Sequence, residues 1–224
     1  MSQEFNEICR QLECWYATPA GEYLYQQERR IVTDLLKPLH GPRLLQLGFS
    51  SGQSLIADAG QAQKIYASAL ASGEAELCSS FNQLPFAAES IDILVLHHAI
   101  EFTDNPHQLL REANRVLSHR GEIIVVGFNP WSLFGISRML QRPLGKQPWL
   151  QAQLLSKYRL RDWLRLLGME VESVRHSYTV PPLGRGRLRE FLLGLDAYTT
   201  YHNWISGGLY VMHGRKHVAG ITPD

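Results

Sequence analysis

The chain has 224 residues, of which 45% are hydrophobic and 19% charged, proportions typical of a soluble globular protein with a sizeable core. Its 22 lysine and arginine residues nearly balance its 21 aspartate and glutamate residues, which argues against the global basic field that attracts nucleic acid. Residues 1–10 carry charges at Glu4, Glu7 and Arg10 and no apolar run, so we expect no secretory signal. No apolar stretch reaches the ~18 residues of a membrane span, and we expect no membrane partner.

The cysteines are few and scattered, at Cys9, Cys14 and Cys78. An odd number of cysteines without zinc-ligand spacing is typical of free thiols in a reducing compartment. We therefore expect a cytoplasmic protein without a metal site.

Two helices are predicted first, over Gln3–Glu13 and Gly21–Leu36, with Thr18 as N-cap of the second helix and Pro19 in its first turn. Arg43–Gly48 follows a Gly-Pro pair and reads as a short apolar strand.

The loop Phe49–Gly52 is expected to open a helix that runs to about Gly60. Lys64–Ala69 is predicted to be the second strand and Glu76–Ser79 a third. Only about six residues separate these two strands, whereas a parallel crossover needs about a dozen or more. The connection has no room for a helix, which predicts a hairpin-like or rudimentary third strand.

The central part shows the clearest pattern. Ile91–His97 is an uninterrupted apolar strand, as expected in a sheet that is covered on both faces. Asp104–Pro106 has the cap residue and proline of a helix start, and apolar residues recur at helical spacing over Leu109–Leu117. His119–Gly121 is expected to stop this helix before the buried strand Glu122–Phe128. The result is a right-handed βαβ unit.

The pattern is looser after residue 130. Trp131–Leu140 is predicted to be a short helix and Gln141–Gln153 a lid or linker. A helical stripe over Leu160–Leu167 precedes the last two strands, Met169–Ser177 and Gly208–Arg215. These elements predict a doubly wound α/β fold: one mostly parallel, Rossmann-like sheet with helices on both faces. We expect a single domain, with N-terminal helices over 1–40, a core over 41–130 and a substrate segment over 131–224.

Such a sheet binds its ligand at the carboxyl ends of its strands, where the strand order reverses. The loop after the first strand offers Gly48 and Gly52 for close backbone approach, and a helix start there would present free amides to a polar group. His97 and His98 stand at another strand end and are candidate general bases, although polar packing explains them equally well.

Two stretches taken together, LLQLGFSSG and NQLPFAAESIDILVLHHAIEFTDNPHQLLREANRVLSHRGEIIVVGFN, resemble class I S-adenosylmethionine-dependent methyltransferases of the type 11 group. The second stretch follows nearly throughout the family run LPF, S-F-D-V-V, H-x-L-E-H, D-P, L-L-R-E-x-x-R-V-L-x-P-G-G. Two later stretches, GFNPWSLFG and RLRDWLRLLG, resemble a divergent bacterial subgroup of short methyltransferase-like proteins.

The resemblance implies S-adenosylmethionine as cofactor and assigns its contacts by position. The first-strand loop would face the methionine part, the end of the second strand the ribose, residues 80 and 81 the adenine, and residues 97 and 98 the sulfonium. Tyr16 would close over the cofactor, and Glu101 and Asp104 would brace loops. The expected cofactor-binding residues are Tyr16, Gln46, Gly48, Phe49, Ser50, Gly52, Ser68, Ala69, Ser80, Phe81, His97 and His98.

The sequence departs from the family pattern at the acids that hold the cofactor. Gln46 stands where the family has an acid toward the amino group, Ala69 near the acid that accepts the ribose hydroxyls, and Ser80 at the adenine aspartate. Ser50 replaces the middle glycine. Charge-assisted bonds contribute roughly 1.5–3 kcal/mol each, so their loss weakens cofactor binding unless other groups compensate.

Three functions stay open at this point. The first is methyl transfer to a small or medium-sized acceptor, which needs no obvious base because proximity and alignment carry much of the rate. The second is a non-catalytic binding or regulatory protein with a degenerate cofactor site. The third and weakest is a nucleic-acid methyltransferase that uses the arginines of the C-terminal third, among them Arg185 and Arg187. We expect a small-molecule substrate rather than nucleic acid.

Overall fold

The computed structural model describes residues 3–49, 53–68, 77–78, 81–132, 153–177, 194 and 207–217. Its helices are α1 (Gln3–Tyr16), α2 (Pro19–Leu36), α3 (Pro106–Val116) and α4 (Lys157–Leu166). Its strands are β1 (Arg43–Gly48), β2 (Gln63–Ser68), β3 (Leu77–Cys78), β4 (Ile91–His97), β5 (Leu117–Phe128), β6 (Met169–Ser177) and β7 (Leu209–Lys216). None of these helices is long and apolar enough to cross a membrane.

All seven strands join one sheet in the order β3-β2-β1-β4-β5-β7-β6. The pairs from β3 to β5 are parallel, and β7 runs antiparallel to both of its neighbours. The order reverses between β1 and β4, so their carboxyl ends form the crevice where such sheets bind ligands. The predicted α/β fold with a mostly parallel Rossmann-like sheet is confirmed.

The helix starts follow the capping rules that the sequence indicated. The Thr18 hydroxyl accepts a hydrogen bond from the Gly21 amide at the start of α2, with proline in the first turn. The Asn105 side chain accepts from the Gln108 amide at the start of α3. The buried face of α3 is the predicted apolar stripe, which packs beside β5.

The prediction of a helix after β1 is wrong for the residues that the structure describes there. Residues 53–60 form bends and turns, and their polar backbone groups bond elsewhere. The Gln46 amide donates to the Gln53 carbonyl and accepts from the Leu55 amide, both at 2.8 Å. The Tyr25 hydroxyl donates to the Ser54 carbonyl at 2.8 Å. Side chains from β1 and α2 thus supply partners that a helix would have supplied internally.

The third strand is rudimentary, which was one of the two predicted alternatives: it is two residues long, and its parallel pairing with β2 excludes the hairpin-like alternative. The predicted end of the next helix needs correction. The helix α3 ends at Val116, before His119–Gly121, because Leu117 already pairs with Ile91 in the sheet. The register then shifts, which places residues 118–121 in the bulge at the start of β5.

Some of the elements predicted for the second half of the chain are present in the structure, and others lie outside the described residues. The strands β6 and β7 lie within one residue of their predicted bounds, and α4 forms where the helical stripe was predicted but begins three residues earlier, at Lys157. Most of the predicted helix Trp131–Leu140 and of the lid Gln141–Gln153 lies outside the described residues. The division of the chain into N-terminal helices, core and substrate segment stays a prediction.

Candidate functional site

Three predicted site residues end adjacent strands of the sheet. Gly48, the last residue of β1, pairs with Ser68 of β2 on one side and with His97 of β4 on the other. Ser68 and His97 are fully buried. The expected methionine, ribose and sulfonium positions therefore form one row across the carboxyl edge of the parallel strands.

An aromatic layer packs against this row. The rings of Tyr16 and Phe49 lie 5.6 Å apart, and Phe49 lies 5.6 Å from the His97 ring and 5.5 Å from the Phe102 ring. All four side chains are buried. The end of α1 and the residue after β1 thus exclude water from the strand ends, where the sequence analysis placed Tyr16 and Phe49.

Glu28 of α2 reaches the same place and is fully buried. Its Oε2 lies 3.0 Å from His97 Nε2 and its Oε1 lies 2.8 Å from His98 Nε2. The Tyr16 hydroxyl donates to both oxygens, at 3.3 and 3.4 Å. One carboxylate therefore joins both histidines and the predicted cofactor-closing tyrosine.

His98 is held between two carboxyl groups. Its Nδ1 contacts Glu101 Oε2, while Glu101 Oε1 accepts a hydrogen bond of 2.6 Å from the Phe128 amide. The His98 ring stacks on Phe128 at 4.3 Å, and its φ of 52° lies in the left-handed region. Glu101 braces the loop after β4 against β5, as expected, whereas Asp104 is exposed.

Glu28, His97 and His98 shift one another's pKa values. Burial raises the pKa of Glu28, but His98 and His97 outweigh burial and lower that pKa to about 2. Burial lowers the pKa of His98, but Glu101 and Glu28 together raise it to about 9. Burial also lowers the pKa of His97, and Glu28 opposes that shift only in part. At neutral pH Glu28 is an anion, His98 a cation and His97 neutral.

In the part of the chain that the structure describes, two groups of side chains have the composition of cation sites. The donor atoms of Glu28, His97 and His98 lie within 4.8 Å of one another, and so do those of Glu122, Glu172 and His213. In the first group the carboxylate already accepts from both rings. In the second group the carboxylates pair with Arg215. Hydrogen bonds account for both groups, and the absence of a metal stays a prediction.

The remaining site residues from the sequence fall into two sets. Both polar atoms of the Gln46 side chain are hydrogen-bonded to the backbone of residues 53 and 55, and Phe81 is buried in the core. Their contacts with a cofactor stay predictions. Four residues lie outside the described part of the chain, namely Ser50, Gly52, Ala69 and Ser80.

Glu28 is the site residue that sequence analysis missed. The buried residues of α2 recur at helical spacing, and Glu28 stands among them between Leu24 and Val32. An acid on the apolar face of an amphipathic helix signals a buried partner. The identity of that partner depends on β4, which lies far along the chain.

Comparisons with known proteins identify the family to which this fold belongs. Residues 43–125 match the family model of the methyltransferase domain. The uncharacterized protein YafS of Escherichia coli is 30% identical over 169 residues, which are 75% of this chain and 70% of that protein. A methyltransferase structure from Thermotoga maritima has a TM-score of 0.72 at 21% identity, covering 96% of this chain and 100% of that one. One from Aquifex aeolicus has a TM-score of 0.53 at 13% identity, covering 84% and 88%. The chain belongs to the class I S-adenosylmethionine-dependent methyltransferases.

Proposed function

We propose that the chain transfers a methyl group from S-adenosylmethionine to a small or medium-sized acceptor. The observation that carries this proposal is the row formed by Gly48, Ser68 and His97 at the carboxyl edge, under the buried rings of Tyr16 and Phe49. Strand ends aligned in this way are where doubly wound sheets bind nucleotide-like ligands. The family supplies the chemistry, since its cofactor carries an electrophilic methyl group when bound.

Two orphaned acceptors support the fit of such a ligand. Within the described residues, His97 Nδ1 and Gln53 Oε1 are buried without a hydrogen-bond partner. A buried polar group without a partner costs about 1–3 kcal/mol. Ligand donors remove that penalty: S-adenosylmethionine carries hydroxyl and ammonium donors that suit Gln53 Oε1, and a methyl acceptor with a transferable hydrogen suits His97 Nδ1.

Calorimetric titration with S-adenosylmethionine and S-adenosylhomocysteine tests the proposal. We expect saturable binding and a thermal upshift, because a ligand at 100 times its Kd stabilises the folded state by about 2.7 kcal/mol. Gly48→Ala adds a methyl group inside the row and should weaken binding. Gly60→Ala is the matched control, since a Cβ there meets no atom within 4 Å. Absence of heat and of any upshift at millimolar ligand contradicts the proposal.

A non-catalytic binding or regulatory role is the second candidate. It is favoured by the Gln46 side chain, which is engaged with its own loop, and by residues 53–60, which form no helix. Residues 53–60 therefore offer a ligand no helix N-terminus, whose free amides would receive a polar group. Mass spectrometry of the purified protein under native conditions separates the two roles. Retained cofactor supports the enzyme, and cofactor-free protein that binds neither ligand supports the second role.

A further inference from the structure

The contact with Glu28 determines which nitrogen of His97 carries a proton. Glu28 is ionised and can only accept, so His97 Nε2, 3.0 Å away, donates to it. A neutral imidazole has a single N–H group. Since His97 is neutral at physiological pH, its Nδ1 is a bare lone pair.

That lone pair is available for chemistry. His97 Nδ1 is buried and has no hydrogen-bond partner among the described residues. His97 ends β4 directly beside Gly48, at the edge where the family binds its cofactor. A carboxylate on one nitrogen and a free lone pair on the other is the arrangement by which an oriented imidazole accepts protons.

We propose that His97 is the general base of the reaction and that Glu28 is the positioning residue that fixes its tautomer. This inference rests on the proposed methyl transfer and specifies its acceptor class: an amine, hydroxyl or thiol that carries a transferable hydrogen. As the acceptor lone pair forms its bond to the methyl carbon, the carbon–sulfur bond breaks and its electrons stay on sulfur. The acceptor proton passes to His97 Nδ1, so the positive charge of the sulfonium ends on the imidazole.

The surroundings separate the roles of the two histidines. His98 cannot act as the base, because Glu28 and Glu101 engage both of its nitrogens. The titratable groups that face His97 are Glu28 from α2, the ring of Tyr16 from α1, and His98 with Glu101 after β4. The His98 cation repels a proton on His97 in the resting site, while Glu28 stabilises the imidazolium once it forms.

Nitrogen-15 NMR of histidine-labelled protein reads the tautomer directly and requires neither cofactor nor acceptor. We expect His97 to be protonated on Nε2 and bare on Nδ1 at pH 7. In Glu28→Gln the neutral amide no longer enforces one tautomer, so a shift toward Nδ1–H is expected. Glu22→Gln, an exposed change on the same helix, should leave the His97 signals unchanged. A wild-type His97 that is protonated on Nδ1 overturns the inference.

Turnover supplies the second test. Release of S-adenosylhomocysteine is measured with primary amines, phenols and thiols, and in parallel with tertiary amines and thioethers, which have no proton to lose. We expect turnover only in the first group, and a loss of about 10²–10⁴-fold in His97→Gln when turnover is measured at saturating cofactor. Full activity of His97→Gln would overturn the assignment of His97 as general base but would leave the proposed methyl transfer intact. Wild type that binds no cofactor refutes the proposed function itself, whatever the tautomer.

Discussion

Glu28 Oε2 lies 3.0 Å from His97 Nε2, across 69 residues of sequence, and both side chains are fully buried. A buried charge is tolerated only where it is paired and hydrogen-bonded. Glu28 meets that condition with two imidazoles and a phenol. The contact therefore ties α2 to the end of β4 and also sets the protonation of the candidate site, so a change at Glu28 should affect stability and chemistry together.

Glu28→Gln should lower the free energy of unfolding by about 3 kcal/mol, because it removes one partner of a buried charge pair and leaves the His98 cation with a single carboxylate. Urea unfolding at pH 7 measures the change as a lower midpoint with an unchanged slope. Glu22→Gln on the exposed side of α2 is the control and should remain within about 0.5 kcal/mol of wild type. Equal midpoints for the two variants would contradict the buried pairing.

Stability should fall between pH 6.5 and about 9 because of His98. Its pKa is raised from 6.5 to about 9 in the folded protein, so the folded state keeps a proton that the unfolded chain releases. The stabilising contribution is complete below pH 6.5 and is lost as pH rises through about 9. Urea midpoints across this range measure the slope. His98→Asn tolerates the left-handed backbone and cannot titrate, so its profile should be flatter; a slope equal to that of wild type would contradict the assignment.

The central strands of the sheet could be predicted from local patterns because β1, β4 and β5 contain short apolar runs. The bounds of Arg43–Gly48, Ile91–His97 and Met169–Ser177 were correct to the residue. The strand ends then followed from the general geometry of parallel sheets, which placed His97 beside the first-strand loop. Local pattern and global topology agree in this part of the chain.

Two features depended on contacts that a local pattern does not contain. Residues 53–60 have apolar spacing compatible with a helix, but Gln46 satisfies the backbone of Gln53 and Leu55 from the neighbouring strand. Glu28 was recognisable as an acid on a buried helix face, yet its partners lie on β4. In both cases the deciding hydrogen bond joins elements that are separated in the sequence.

Gly127→Ala should destabilise the fold by about 1–3 kcal/mol through overpacking. A Cβ on Gly127 in β5 would lie 2.7 Å from the Tyr210 hydroxyl oxygen, and that hydroxyl donates to the Leu155 carbonyl at 3.1 Å. The ring has to move and lose this bond. Thermal and urea unfolding measure the loss. Gly60→Ala, where the added methyl group meets no atom within 4 Å, should be neutral or slightly stabilising; similar losses for both variants would contradict overpacking as the cause.

Gln46→Glu restores the acid of the family pattern, yet it should not restore cofactor affinity. The Gln46 amide donates to the Gln53 carbonyl at 2.8 Å, and a carboxylate placed there would set two acceptors against each other. We expect a loss of about 1–3 kcal/mol in the free energy of unfolding, together with unchanged or weaker binding of S-adenosylmethionine. Urea unfolding and calorimetry measure the two quantities. Gln63→Glu, at the exposed first residue of β2, is the control, because the same change on an exposed side chain should alter stability by no more than about 0.5 kcal/mol. Wild-type stability combined with tighter binding in Gln46→Glu would show that the new carboxylate turns from its loop to the cofactor, which would contradict the prediction.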